Sequence, residues 1–226
     1  MSADSSISTW HPVAPSAELR AGANIVAGFA EGRELALWRS ADGTAQAWEN
    51  RCPHRSVRFT LGHVVENRLV CAYHGWQYTA GSGQCAHIPA HPDMPPPRNV
   101  CAKVFSAVEA AGMVWVYLGA AEPPPPPRDD AVPQDWSFCR TLTVRANAAD
   151  VRDALAARGF MADASSHALC GELDRIDTLA LVLDAQSGLA FIHLWTNATA
   201  GSEAMKTLHA AARRLRGEIE ERQPVV

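Results

Sequence analysis

Between residues 24 and 118 the apolar positions recur at every second residue in short runs. That is the period of a half-buried β-strand, whose side chains point alternately to opposite faces. The pattern predicts strands starting at Ile25 and spanning 34–38 and 45–48, the last two joined through Asp42-Gly43. Such a pair favours a tight hairpin because glycine tolerates positive φ. Further strands are predicted at 68–72, 100–109 and 113–118, with Gly112 as the turn between the last two. No helical period competes, so residues 11–120 read as an antiparallel β domain and polar residues 1–10 as a disordered or extended start.

Residues 121–136 break the texture. Pro123 to Pro127 are consecutive prolines, which lack a backbone donor and favour extended polyproline II. They form a semi-rigid spacer between domains. A second cluster, Pro92 to Pro97, reads as a surface loop inside the first domain.

Beyond the spacer, 138–145 alternates as a strand. Asn147 is placed to cap a helix running to about Arg158, with Val151 and Leu155 on one face and Gly159 as its stop. Residues 160–174 carry no usable pattern. Residues 176–183 and 189–195 read as paired strands around Gln186-Ser187-Gly188. From Ser202 a long helix is predicted, with Met205, Leu208, Ala212, Leu215 and Ile219 on one stripe and Arg213, Arg214, Arg216, Glu218 and Glu220 opposite. The expected fold class is therefore mainly β plus α+β, with residues 137–226 forming a small α+β domain, about β-α-β-β-α. The apolar stripe serves either that domain's core or docking to a partner subunit or second copy.

Composition narrows the class. The 226 residues are 47% apolar, enough for a packed core in one large or two small domains. With 20 Lys+Arg against 24 Asp+Glu the net charge is −4, which argues against a nucleic-acid-binding protein. No apolar run approaches the ~18–20 residues of a membrane span. Residues 1–10 lack the basic and apolar regions of a signal peptide, so the cytoplasm is the expected compartment. Six cysteines are too sparse for a disulfide scaffold in a chain of this length. In a reducing compartment they point instead to metal ligands or nucleophiles.

Two segments carry that chemistry: Cys52-Pro53-His54 and Cys71-Ala72-Tyr73-His74-Gly75-Trp76. The spacing is C-x-H, sixteen residues, then C-x-x-H. A zinc finger usually draws two Cys from one turn and two His from another. Here each turn offers one of each, the mixture a Rieske [2Fe–2S] centre needs, with one iron on two thiolates and the other on two imidazoles.

The two motifs, with Gly75-Trp76-Gln77-Tyr78 trailing the second, resemble the Rieske domain of bacterial ring-hydroxylating and O- or N-demethylating oxygenases. Residues 49–55 are similar to that family's first cluster loop, and 108–119 to the segment closing its Rieske domain. The resemblance covers about residues 10–120. It implies that Cys52 and Cys71 bind one iron, that His54 and His74 bind the other, and that Trp76 shields the cluster. High-potential relatives carry an extra disulfide-bonded Cys in each loop. Here those positions are Val57 and Tyr73, and Trp76 replaces a hydroxyl donor to the cluster. Both departures imply the low-potential oxygenase type.

The oxygenase family also implies a mononuclear iron site written D-x-x-H-x-x-x-x-H. Residues 121–226 hold only His167, His193 and His209, with no pair at that gap. Asn147 to Asp150 is faintly similar to the start of the family's iron-binding helix, but no His follows through Arg158. The roughly 105 residues past the Rieske region are expected to be too few for the usual catalytic domain, so residues 137–226 are expected to be a reduced relative of it or a docking or oligomerisation domain. The expected function is therefore the electron-transfer component of a multisubunit mono- or dioxygenase. It would take electrons from a reductase or ferredoxin and pass them to a larger oxygenase subunit holding the mononuclear iron. No nucleic-acid or membrane partner is expected, and a hetero- or homo-oligomer is. One rival is a complete oxygenase using Asp150 or Asp163 with His167 and His193. Another is a zinc-stabilised interaction module.

The remaining residues have plainer readings. Cys85, Cys101, Cys139 and Cys170 are expected to be buried thiols, and His63 a surface residue. His87 and His91 belong to a loop near the cluster. Trp38, Trp48, Trp115, Trp136 and Trp195 read as packing residues, and Gly81-Ser82-Gly83 as a turn without a phosphate-binding context. Arg51, Arg55 and Arg58 form a basic patch, either a solvated face or a collar that steers an acidic electron donor.

Overall fold

The computed structural model describes residues 9–163 and 168–223. They divide into two compact units. The first comprises residues up to 29, 33–109 and 113–124; the second comprises 30–32, 110–112 and 125 onward. The boundary in the proline run thus falls between Pro124 and Pro125. The fold class is mainly β with a small α+β region.

The first unit is built from β1 (Trp10–Pro15), β2 (Ile25–Ala30), β3 (Arg33–Arg39), β4 (Ala45–Glu49), β5 (His63–Val65), β6 (Arg68–Val70), β7 (Gln77–Thr79), β8 (Cys85–His87), β9 (Val104–Ala110) and β10 (Met113–Tyr117). One antiparallel sheet has the order β1-β10-β9-β4-β3-β2, and a four-stranded sheet has the order β5-β6-β7-β8. Strands β2, β3, β4, β6, β9 and β10 fall where the alternation puts them. Strand β9 starts at Val104 instead of residue 100, because Cys101 is held in an isolated bridge to Gln84.

Four strands are not announced by the pattern. Strands β5, β7 and β8 have three residues each, too few to show a period. Strand β1 is buried along its whole length and so has no alternation to read. It tolerates Pro12 and Pro15 because it is an edge strand with a register shift between Pro12 and Ala14. Trp10, expected in an extended start, opens this strand, and its indole N–H donates to the Pro124 carbonyl at 3.0 Å.

The core between these strands is aromatic. Trp38 meets Trp48 edge-on at 5.1 Å, Trp48 meets Phe59 at 5.7 Å, and Phe59 meets Tyr78 at 5.3 Å. All four side chains are fully buried, and the same cluster contains Cys52, Cys71 and Cys85. The chain therefore lays rigid rings directly beneath the two Cys/His loops.

Arg39 closes the far side of this unit. Its guanidinium donates to both Glu109 oxygens at 2.6 Å and to the carbonyls of Leu19 and Gly43. The paired guanidinium holds the Glu109 carboxyl below its ordinary range. A carboxylate lowered on folding stabilises the fold above its unfolded pKa and loses that contribution as pH falls through the folded value. Glu109→Gln is expected to cost about 1 kcal/mol at neutral pH, reduced by the pair's partial exposure, and nothing at pH 2. Urea denaturation at the two pH values checks this.

The second unit contains β11 (Ser137–Val144), α1 (Ala148–Ala156), β12 (Met161–Ala162), β13 (Ala168–Leu173), β14 (Ile176–Gln186), β15 (Leu189–Thr196) and α2 (Glu203–Glu221). The sheet order is β11-β15-β14-β13-β12. The sequence of elements is β-α-β-β-β-β-α, with β12 and β13 added to the expected β-α-β-β-α. Their residues, Met161–Ala162 and Ala168–Leu173, show no strand period on their own. Pairing with β14 organises β13 from Ala168↔Leu181 to Leu173↔Ile176. Gly171 is required there, since a Cβ would come within 2.7 Å of the Phe160 ring.

Helix α1 ends at Ala156, and the turn that follows it closes at Gly159, whose φ of +85° suits glycine. Asn147 precedes the helix but its side chain makes no capping bond; its Oδ1 instead accepts the Gly188 N–H at 2.9 Å. Ser202 does cap α2, accepting the Met205 N–H at 3.1 Å. The apolar stripe of α2 is buried, and Leu208, Ala212, Leu215 and Ile219 join a core with Leu142, Val144, Val151 and Leu155. The stripe is thus a core contact and not a docking face. Among the described residues no helix is long and apolar enough to cross a membrane.

Candidate metal centre

The first Cys/His loop runs between β4 and a 3-10 turn at Phe59–Leu61, and the second joins β6 to β7. Both loops are closed by the same pair of backbone bonds. The Cys52 N–H donates to the Val57 carbonyl, and the Ser56 N–H donates to the Cys52 carbonyl. The Cys71 N–H donates to the Trp76 carbonyl, and the Gly75 N–H to the Cys71 carbonyl. The fifth residue of each loop takes a left-handed conformation, φ +56° at Ser56 and +69° at Gly75. The two loops are structural repeats, with His at the third position of the first and the fourth position of the second.

The ends of the first loop are stapled by a residue the spacing does not flag. Asn50 is fully buried. Its amide donates to Glu34 Oε1 at 3.2 Å and to Thr60 Oγ1 at 3.0 Å, and its oxygen accepts the Thr60 N–H at 2.9 Å. Glu34 also pairs with Arg58 at 2.8 Å and Arg51 at 3.3 Å. The second loop is covered by a third, since a Cβ on Gly75 would stand 3.1 Å from the Pro89 ring.

The four Cys and His side chains sort into two pairs. Cys52 and Cys71 are buried, and the Cys52 thiol is among the groups that raise Cys71, after the larger effect of burial. His54 and His74 lie toward solvent, with their Nδ1 atoms 3.2 Å apart. Two nitrogens on one tetrahedral metal with bonds of ~2.0–2.1 Å stand roughly 3.3 Å apart. The imidazole pair therefore already has the spacing of two ligands on one ion. Among the described residues no three His, Cys, Asp or Glu side chains gather around a single ion position. A zinc site needs four ligands at one point, whereas a two-iron cluster takes the thiols at one end and the imidazoles at the other.

The surroundings suit this division. Trp76 stacks flat on His54, with centroids 4.1 Å apart and planes 6° apart, and Tyr73 lies against His74 at 3.8 Å. Lost hydration, then His74 and the Arg55 guanidinium, hold the His54 imidazole below its ordinary value and so favour the neutral ring that binds metal. At the buried end the Tyr78 hydroxyl stands 3.2 Å from Cys52 Sγ. Burial first, and Cys52 next, push Tyr78 far up, so it keeps its proton and donates to a thiolate. Such a bond favours the more negative, reduced state. Tyr78→Phe is expected to lower the reduction potential by roughly 30–60 mV, the one-electron equivalent of about 1 kcal/mol. Protein-film voltammetry measures it.

Other expectations are placed as follows. Cys85 is buried and Cys139 half-buried. Cys101 and Cys170 are exposed instead of buried. Cys101 lies outside the named strands, its thiol on Gln84 Oε1, and Cys170 sits on β13 beside the short edge strand β12. His63 is exposed. Trp136 is only half-buried and lines two surface cavities instead of a core. The candidate iron ligands of the second unit are dispersed. Asp150 is on α1, His193 is buried on β15 against the Thr141 hydroxyl, and Asp163 lines a cavity with Cys170 and Asp177. His167 lies outside the described residues.

A β fold presenting a buried thiol pair and a solvent-facing imidazole pair defines an iron–sulfur electron carrier. Residues 9–104 match the family model of the Rieske [2Fe-2S] domain. This part of the chain is a Rieske domain, its cofactor is a Rieske-type [2Fe–2S] cluster, and its relatives include Rieske oxygenase components. The oxidoreductase NdmD of Pseudomonas putida is 41% identical over 121 residues, which are 54% of this chain and 20% of NdmD. The 3-chlorobenzoate-3,4-dioxygenase oxygenase subunit of Comamonas testosteroni is 37% identical over 111 residues, 49% of this chain and 26% of that protein. The chain thus spans about a quarter or less of these relatives. The solved structure of Pseudomonas putida CBB5 NdmA with caffeine superposes with TM-score 0.74 at 18% identity, over 96% of this chain and 83% of that one. That likeness extends the shared fold into the second unit.

Proposed function

We propose that Cys52 and Cys71 hold one iron of the cluster, that His54 and His74 hold the other, and that the chain is the electron-transfer component of a multisubunit Rieske oxygenase in the cytoplasm. Its electrons come from a reductase or ferredoxin and go to a mononuclear iron on a larger subunit. The observation that carries this reading is the exposed imidazole pair, Nδ1 to Nδ1 at 3.2 Å, next to a buried thiol pair. Bound there, the cluster supplies one-electron chemistry at the domain surface. The protein's own residues orient the rings through Trp76 and Tyr73, keep water from the thiol end with Phe59 and Tyr78, and hold a proton on Tyr78 Oη facing Cys52.

The second half of the reading is supported by residues 121–226, where no His pair with the iron-binding gap occurs. It is supported too by relatives named as an oxygenase subunit and as an iron–sulfur subunit of a monooxygenase system. Iron analysis, with co-expression beside a candidate larger subunit, tests it. The reading expects about two irons per chain and oxygen consumption only with the second protein present. About three irons per chain and oxygenation by the chain alone contradict it.

A further inference from the structure

We infer that the open edge of β11, flanked by a basic stripe on α2, takes up an extended acidic segment of a partner protein as an added strand. The inference is independent of the cluster assignment, because every residue it uses belongs to the second unit.

Strand β11 is terminal in the order β11-β15-β14-β13-β12. In an antiparallel ladder alternate residues aim their N–H and C=O groups away from the existing neighbour. Past the register shift between Phe138 and Arg140 the strand runs regularly to Val144. It contains no Pro and no Lys, and so lacks the usual guards of a sheet edge. Among the described residues the backbone of 140–143 bonds to no segment besides β15.

Helix α2 runs along this edge. Strand β15 ends at Thr196, opposite Ser137 of β11, and α2 returns from there until Glu220 reaches the far end, where its carboxylate accepts the Arg145 N–H at 2.9 Å. Helical spacing puts Arg216, Arg213 and His209 on the same flank as Glu220. The opposite flank is already committed, since Arg214 pairs with Asp174 and Glu218 with Arg158. Arg213 and Arg216 are exposed, and neither they nor Arg140 has a carboxylate partner among the described residues.

Arg140 lies on the helix-facing side of β11. Its register partner, Leu194, belongs to the core beneath α2, as does Leu142 two residues on. The strand from Arg140 to Arg145 and the helix from His209 to Glu220 each span about 16 Å, so Arg140 lies level with His209. The Arg140 Nε is buried without a hydrogen-bond partner. A desolvated donor left unpaired is costly, and a carboxylate entering beside β11 supplies its acceptor.

Charge selects the occupant. The chain carries −4 overall, yet Arg140, Arg213 and Arg216 stand along this edge against Glu220, which is already paired with Arg145. Two-fold pairing of β11 with β11 of a second copy sets the two basic stripes against each other. A strand with Asp or Glu at every second position instead turns its carboxylates to the α2 side while its main chain bonds to β11.

Fluorescence anisotropy of the holoprotein with a labelled peptide of alternating glutamate and valine tests this. The controls are a lysine-for-glutamate peptide and two glutamate peptides N-methylated at every second amide, in the two possible phases. The glutamate peptide is expected to bind the wild type, and about tenfold more weakly in roughly 0.5 M salt or to the Arg213→Glu, Arg216→Glu double variant. The lysine peptide is expected not to bind the wild type. The N-methylated phase that faces β11 is expected to lose binding while the other keeps it. Hydrogen exchange is expected to slow at amides within 140–144 when the glutamate peptide is bound. Both substituted arginines are exposed, so the variant should keep the wild-type cluster spectrum and circular dichroism. No binding of the glutamate peptide, equal binding of both N-methylated phases, or binding without protection at 140–144 overturns strand addition. Binding that ignores both salt and the double variant overturns the acidic occupant. A homodimer in sedimentation whose 140–144 amides are protected without peptide makes the second copy the occupant and overturns the proposal.

Discussion

Replacing Cys52, His54, Cys71 or His74 singly by alanine is expected to reduce iron from about two atoms per chain to a small residue and to abolish the visible spectrum. Cys85→Ser is expected to retain both. The contrast is informative because Cys85 is also buried in the core that contains Cys52 and Cys71. Burial alone does not select ligands. Cys52 and Cys71 open loops that turn their thiols toward each other, while Cys85 lies in strand β8 with its thiol 3.9 Å from the His87 carbonyl. A graded variant sharpens the test. His74→Cys replaces a neutral ligand by an anionic one. It should either lose the cluster or move its potential toward the roughly −400 mV typical of all-thiolate plant-type centres. Iron analysis and redox titration read these outcomes, and iron retained by His74→Ala or lost by Cys85→Ser would refute the ligand set.

The largest expected effect away from the ligands is at Asn50. Asn50→Ala removes its bonds to Glu34 and Thr60 and leaves the Thr60 N–H without its acceptor. The expected cost is about 2–3 kcal/mol, together with faster iron loss to a chelator, because both ends of the first loop come free. Asn50→Asp should rank between the two, since its oxygen still accepts from Thr60 while its charge faces Glu34. Chemical denaturation and chelator-release kinetics measure this. A cost under about 0.5 kcal/mol with unchanged release would show that the loop holds its own shape without the staple.

The contrast between ligands and staple marks what was readable from the chain. The ligand spacing is local, since each loop closes over its own five or six residues, and local patterns survive in one dimension. The helices α1 and α2 were readable for the same reason. Asn50 and Glu34 are sixteen positions apart, and Tyr78 is twenty-six from Cys52. Nothing in their neighbours signals that the sheets bring them together. Strands β5, β7 and β8 are too short to show a period, and β13 acquires its geometry from β14. The exposed thiols of Cys101 and Cys170 show the same limit, because a cysteine's burial depends on which strand lies beside it.

The central claim is that one end of the cluster rests on thiolates and the other on two imidazoles. Pulsed electron paramagnetic resonance of the reduced holoprotein tests it most directly. Two strongly coupled histidine nitrogens, with one coupling lost or the signal abolished in His54→Cys and in His74→Cys, are the predicted result. A signal without strong nitrogen coupling, or a colourless protein carrying zinc, would contradict it.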